Sequence, residues 1–274
     1  MGSTGAVEVR LAGRTVAIEH AWVGRDDAAA PLAIFLHEGL GSVALWKDWP
    51  ARVCDAAGLR GLVYSREGYG GSTPRPHDER WPATFMHVQA DAALPALLEA
   101  LHVRVPRYWL VGHSDGGSIA LIHAARFPGR VAGVVAIAPH VMVEDVALAS
   151  IGRARDAWAS TDLPARLGRY HADPTSAFFG WNDVWLSPAF RAWSIEDMLA
   201  EVRCPVLAIQ GTDDEYGTLA QVERIRERVP AAEVLVLDGC GHSPHRDQPD
   251  ALARAIDDFI GHHEPALSPR GGMQ

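Results

Sequence analysis

Short apolar runs recur along this chain, each followed by a stretch in which apolar positions return every three or four residues. The runs are Leu32–Leu36, Gly61–Tyr64, Tyr108–Val111, Val131–Ala138, Pro205–Gln210 and Glu233–Leu237. They are rich in Val, Ile and Leu and nearly free of charge, as parallel strands are when helices cover both their faces. Helical spacing fills the gaps. Phe85–Leu101 sets Val88, Ala92, Leu94, Leu97, Leu98 and Leu101 on one broad apolar stripe, and Ile119–Phe127, Leu219–Val229 and Ala251–Ile260 continue the series. Strands alternating with helices predict an α/β fold with a doubly wound, mostly parallel sheet. Ahead of them, Val7–Leu11 and Thr15–Val23 flank Ala12-Gly13-Arg14 and predict an antiparallel hairpin at one sheet edge.

The rhythm breaks from about Val141 to Glu201, where no buried strand is legible. Trp158, Trp181, Trp185 and Trp193 lie there, with Phe178, Phe179, Phe190 and Met198. The segment reads as a helical insertion over one end of the sheet, most of its aromatics packing it down and two or three left to face a pocket. The expected organisation is a core of residues 1–140 and 202–264, a helical lid insertion at 141–201, and a flexible, polar tail at 265–274, with fraying from Gly261 onward.

The strongest local signal is Gly112-His113-Ser114-Asp115-Gly116-Gly117, a G-x-S-x-G between the run Tyr108–Val111 and a helical stretch. A sharp strand-to-helix turn strains the serine backbone and lifts its hydroxyl clear of the sheet. Glycines on either side permit close backbone approach, and the helix that follows aims amides and its positive end at the site. An incidental serine in a glycine-rich turn is the bland alternative, and the strand–turn–helix setting weighs against it. Neither G-x-x-x-x-G-K-[ST] nor G-x-G-x-x-G is present to support nucleotide binding.

With that turn in place the chain resembles the α/β-hydrolase superfamily over nearly its whole length. Phe35-Leu36-His37-Glu38-Gly39-Leu40-Gly41-Ser42 resembles the loop that supplies one oxyanion-hole amide, assigned to Gly39 with Leu40 as the alternative. The second amide would be that of Asp115. Glu38 stands where the family usually has glycine, and contact with Arg66 or a lid residue is the expected role. Tyr64-Ser65-Arg66-Glu67-Gly68-Tyr69-Gly70-Gly71-Ser72 resembles the family's D-x-R-G-x-G-x-S loop, with Ser65 and Glu67 replacing Asp and Arg, and its role reads as loop packing. Gly211-Thr212-Asp213-Asp214 resembles the G-x-x-D carrying the triad acid, which selects Asp214; Asp213 is the near rival and Glu144 or Asp145 the distant ones. Gly239-Cys240-Gly241-His242 resembles the loop presenting the catalytic histidine, which selects His242 and not His245. The order Ser114, Asp214, His242 is the one expected for this fold.

The resemblance implies a serine hydrolase without metal or organic cofactor, working through an acyl-enzyme on a carboxylic ester or lactone of a small, largely apolar substrate. A carbon–carbon hydrolase of ring-cleavage products would use the same residues, and a ligand receptor retaining the triad is the reading from another class. Dehalogenase and epoxide-hydrolase branches are set aside, because they carry Asp where Ser114 stands. Asp115 follows the nucleophile where many relatives have an apolar or amide residue. A first-turn carboxylate that complements the helix dipole is the plain account, and bracing of the site through Arg66 the sharper one.

Composition narrows the partners. In 274 residues the chain carries a net charge of −9 with a pI near 5.8, which disfavours nucleic acid and anionic membrane surfaces. The first residues lack a basic region followed by an apolar run, so no signal peptide is expected. Cys54, Cys204 and Cys240 are odd in number and widely spaced, which fits a reducing cytosol rather than a disulfide framework or a metal site. Cys240, near His242, reads as a small packing residue. The partners expected are thus a small-molecule substrate and, through an exposed face of the insertion, a second copy in a homodimer.

Overall fold

A computed structural model describes residues 4–264. Among the described residues, eight strands form one sheet in the order β1-β2-β4-β3-β5-β6-β7-β8. β1 (Thr4–Leu11) and β2 (Arg14–Gly24) make the expected antiparallel hairpin, and β2 also pairs antiparallel with β4 (Arg60–Tyr64). β3 (Leu32–Leu36), β5 (Tyr108–His113), β6 (Val131–Ile137), β7 (Val206–Gly211) and β8 (Ala232–Leu237) complete the parallel part.

Side chains alternate across the sheet, so each central strand feeds two cores. In β3, Leu32, Ile34 and Leu36 face one core while Ala33 and Phe35 face the other. The second core is closed by α1 (Trp49–Ala57) and by α10 (Pro249–His263), which follows the short α9 (Pro244–Asp247). The first is closed by α2 (Phe85–Val88) with its continuation α3 (Leu94–Ala100), by α4 (Asp115–Arg126) and by α8 (Ala220–Arg228). Proline near the start of α1 and α10 costs nothing, because the first amides of a helix have no carbonyl four residues back. α1 ends at Gly58, whose φ of 68° is a left-handed cap.

Three expectations are corrected here. Val88 and Ala92 are exposed; the buried side of the Phe85–Leu101 helix is instead Phe85, Met86, Ala90, Ala93, Leu94, Leu97 and Leu98. Val88 lies nine residues before Leu97, about two and a half turns of an ordinary helix, and so on the opposite face. A π-helical turn at Gln89–Ala93 shifts the register further. It is pinned from α4, where His123 Nδ1–H donates to the Ala90 carbonyl (2.7 Å) and Nε2 accepts from the Tyr108 hydroxyl (2.8 Å). Second, β8 is not buried on both faces, because it is the edge strand; only Leu237 in it is buried. Third, Gly261 does not begin a frayed end, since α10 runs on to His263; the expected tail at 265–274 lies outside the described residues. The helix α1 has no counterpart among the expected elements.

Between β6 and β7 run α5 (Asp145–Ser160), α6 (Leu163–Leu167), α7 (Pro174–Trp185) and a 3-10 turn at Glu196–Glu201. Phe178, Trp181, Trp185, Phe190 and Trp193 merge with the first core. Among the described residues, no helix is long and apolar enough to cross a membrane.

Candidate active site

Ser114 sits between the end of β5 and the start of α4 with φ 52° and ψ −119°, a backbone conformation costly to any residue with a Cβ. The turn is tight enough to require its glycines. A Cβ on Gly112 would overlap the Gly116 carbonyl, and one on Gly116 would overlap the Leu36 carbonyl. The Ser114 amide is tied to the Ile137 carbonyl at 2.8 Å, which fixes the turn against β6.

The loops after β7 and β8 bring Asp214 and His242 to that serine. His242 Nε2 lies 2.9 Å from Ser114 Oγ, and His242 Nδ1 lies 2.9 Å from both Asp214 carboxylate oxygens. The consistent tautomer has Nδ1–H donating to Asp214 and Nε2 accepting from the serine hydroxyl. The Asp214 side chain is fully buried and accepts from the Tyr216 amide (2.8 Å), the Gly217 amide (3.2 Å) and Gln210 Nε2 (2.7 Å). Burial pushes its carboxyl upward, but the His242 contact and the Tyr216 amide outweigh that and hold it below the usual range.

The rival acids are elsewhere. Asp213 accepts from Thr212 Oγ1 at 3.3 Å, and Glu144 is held by Thr218 and Gln221. Asp145 pairs with Arg191 at 2.7 Å. His245 packs against Trp46, Trp49 and His113 instead of reaching Ser114. Cys240 is buried, its thiol pushed up to about 11 by burial, and is thus not activated as a nucleophile.

Glu38 does not use its carboxylate on Arg66. Arg66 Nη2 donates to the Glu38 main-chain carbonyl (2.9 Å), while the carboxylate turns to His113 Nδ1 at 3.5 Å, an ion-pair distance. Burial raises the Glu38 carboxyl; the His113 contact, with His245 and His37, more than offsets it and holds it well below its ordinary range. His113 then donates from Nε2 to the main-chain carbonyl of His242 at 2.6 Å. His37 is a neutral support, accepting the Arg66 amide at Nε2 (3.0 Å) and donating from Nδ1 to the Glu38 carbonyl (2.6 Å). Its pKa is lowered by burial and by Arg66.

Asp115 is buried at the first position of α4. Its Oδ1 accepts from Trp185 Nε1 (3.2 Å) and its Oδ2 faces Arg66 Nη2 at 3.7 Å, both side chains of this ion pair being 1% exposed. The partner weighed in the sequence, Arg66, is thus present, joined by a tryptophan that the sequence did not point to. Burial raises the Asp115 carboxyl, opposed by Arg66 and Trp185.

A cavity of about 430 Å³ opens on Ser114 and His242. Leu40, Leu45, Ile151, Leu163, Leu167, Trp181 and Trp185 give it apolar walls, and Gly39 also lines it. Lys47, Arg166, Glu215 and Arg246 also line it. Asp115 N–H, first in its helix, has no carbonyl four residues back to bind. Gln210, His113 and Tyr216 are members of the site that sequence reasoning missed, since nothing in their local pattern sets them apart from strand and loop residues. His140 is another; it lines the cavity, lies 5.9 Å ring-to-ring from His242, and is pushed down to about 3 by burial.

Residues 33–255 match the model of the Alpha/beta hydrolase family, and the chain belongs to that family. It is 28% identical to a pimeloyl-[acyl-carrier protein] methyl ester esterase of Aromatoleum aromaticum, over 74% of this chain and 88% of that one. It is 25% identical to a 2-hydroxy-6-oxo-2,4-heptadienoate hydrolase of Pseudomonas putida, over 86% and 91%. Among solved structures it is similar to a carboxylesterase of the ammonia-oxidizing thaumarchaeon Nitrososphaera gargenis, with a TM-score of 0.76, 18% identity, and coverage of 95% and 100%, a likeness of fold. These relationships make the chain a hydrolase of the α/β-hydrolase superfamily.

Proposed function

We propose that this protein is a serine hydrolase that cleaves a carboxylic ester or lactone of a small, largely apolar substrate through an acyl-enzyme. One observation carries the reading: Ser114 Oγ, His242 and the buried Asp214 side chain form a continuous relay with 2.9 Å steps at a cavity lined by both apolar and charged side chains. In this mechanism His242 takes the serine proton as Oγ attacks the acyl carbon, and Asp214 stabilises the imidazolium that forms. His242 then gives the proton to the leaving alcohol, and water repeats the sequence on the acyl-enzyme. Each such proton transfer is worth about a hundred- to ten-thousandfold in rate. The amides of Gly39 and Asp115 serve as the oxyanion hole, each worth about a hundredfold or more. The segment at 141–201 acts as the lid, since Ile151, Leu163, Trp181 and Trp185 supply much of the apolar wall.

The similarity to a 2-hydroxy-6-oxo-2,4-heptadienoate hydrolase supports a second reading, carbon–carbon cleavage by the same residues. The test uses wild type, Ser114→Ala and His242→Ala with p-nitrophenyl esters of graded chain length, a lactone set, a vinylogous 1,5-diketone acid and a fluorophosphonate probe. Ester or lactone turnover with labelling, both lost in Ser114→Ala, is the expected result. Turnover of the diketone acid alone moves the assignment to carbon–carbon cleavage. Labelling without turnover of any substrate favours a receptor. Full activity in Ser114→Ala removes the site.

A further inference from the structure

Both residues whose amides serve as the oxyanion hole are touched by one helix of the insertion. Trp181 and Trp185 lie four residues apart on α7, on the same face and one turn from each other. Trp181 lies against Gly39 so closely that a Cβ on that glycine would overlap the indole Nε1 and Cδ1. Trp185 Nε1–H donates to Asp115 Oδ1 at 3.2 Å.

We propose that α7 seats the oxyanion hole, with Trp181 and Trp185 as positioning residues that fix the Gly39 loop and the first residue of α4. The proposal rests on the serine-hydrolase reading above. The Asp115 side chain is held between Trp185 and Arg66, so the residue cannot rotate its amide away without breaking two buried contacts. The Gly39 loop is held on its other side from the same segment. His171, just ahead of α7, donates from Nε2 to the Leu40 carbonyl (3.0 Å) and accepts the Gly70 amide at Nδ1 (3.0 Å). The side of α7 that faces α5 is anchored separately. Asn182 donates to the Ile151 carbonyl (2.9 Å) and accepts from Arg155 Nε (2.5 Å), and Arg155 also pairs with Asp183. The helix is therefore registered on α5 by its polar side and presents its tryptophans inward. An oxyanion donor acts only when it points at where charge develops, so displacement of α7 would disassemble the hole while leaving the Ser114–His242–Asp214 relay intact. The position of the insertion thereby decides whether the site is competent.

The experiment compares Trp185→Phe, Trp181→Phe, Asp115→Ala and Asp115→Asn with wild type. The measurements are kcat per serine titrated by fluorophosphonate, KM, and the Ki of a trifluoromethyl ketone as mimic of the tetrahedral intermediate. Loss of the Trp185 donor should lower kcat about tenfold, leave KM within about twofold, and weaken the mimic by about the same tenfold, because only transition-state binding is lost. Asp115→Ala should match it, while Asp115→Asn, which keeps an acceptor for Trp185, should recover most of the loss. Trp181→Phe tests the Gly39 side independently if Trp185→Phe fails to fold. A change in KM alone, or unaltered kcat and mimic affinity in folded variants, overturns the proposal while leaving the hydrolase reading in place. A wild type that neither turns over nor labels removes both.

Discussion

Gln210, at the buried end of β7, donates from Nε2 to Asp214 Oδ2 at 2.7 Å and to the Gly217 carbonyl at 3.0 Å, so the strand itself sets the angle of the Asp214 carboxylate. The arrangement separates adjacent aspartates that sequence alone leaves close in rank. Asp214→Asn should lower kcat about ten-thousandfold by favouring the wrong imidazole tautomer. Asp213→Asn should stay within about twofold, as surface changes usually do. Equal losses in steady-state assays would mean that the acid has been misassigned.

His113 is the second support of His242, through its 2.6 Å bond to the His242 carbonyl, and it faces Glu38 on its other side. His113→Leu leaves that carbonyl without this donor, which should cost about 1–3 kcal/mol of stability. It should also slow turnover, because the imidazole loses its fixed placement. Calorimetry and kinetics on the purified variant decide this; a melting temperature and kcat both equal to wild type would show that the bond has no such role.

Burial pushes His123 down to about 4 and both His140 and His245 down to about 3, from an ordinary value of 6.5. The unfolded chain binds protons at these histidines that the folded protein refuses, so stability rises with pH between the two values. Their contribution is complete above 6.5 and is lost as pH falls from 6.5 toward 3 to 4. Thermal melts from pH 7.5 to 4.5 should show the midpoint falling below about pH 6.5, less steeply in His245→Phe. A midpoint flat across that range contradicts the burial of neutral histidines.

Ser114 holds φ at 52°, where glycine is at ease and serine is not. Ser114→Gly should relieve about 1–3 kcal/mol of strain against about 0.5–1 kcal/mol of added chain entropy in the unfolded state. The inactive Ser114→Gly protein should therefore melt above the inactive Ser114→Ala protein. The reverse order would mean that the turn is relaxed. Gly116→Ala should destabilise strongly, since its methyl would overlap the Leu36 carbonyl.

The central sheet was legible because β3 to β7 are buried on both faces and read as unbroken apolar runs. Ser114, Asp214 and His242 were legible because each occupies a turn whose shape demands particular neighbours, glycines above all. α1 escaped notice, because in Trp49–Ala57 only Trp49, Pro50, Val53 and Cys54 are buried and the rest of the helix gives a weak stripe. The exposure of Val88 also escaped, although nine residues of ordinary helix already set it on the face opposite Leu97.

The sequence by itself determined the fold class, the order of the three relay residues and the strained turn at Ser114, since all of these depend on local spacing and on which residues tolerate a given backbone. Only the tertiary structure decided that Glu38 faces His113 rather than Arg66, that Asp115 meets both Arg66 and Trp185, and that Gln210 steers Asp214. Trp185 is 70 residues from Asp115 along the chain, and Glu38 is 75 from His113. A polar side chain's partner is chosen by whatever packing brings within about 3 Å of it, and at such separations no local pattern in the chain encodes that choice.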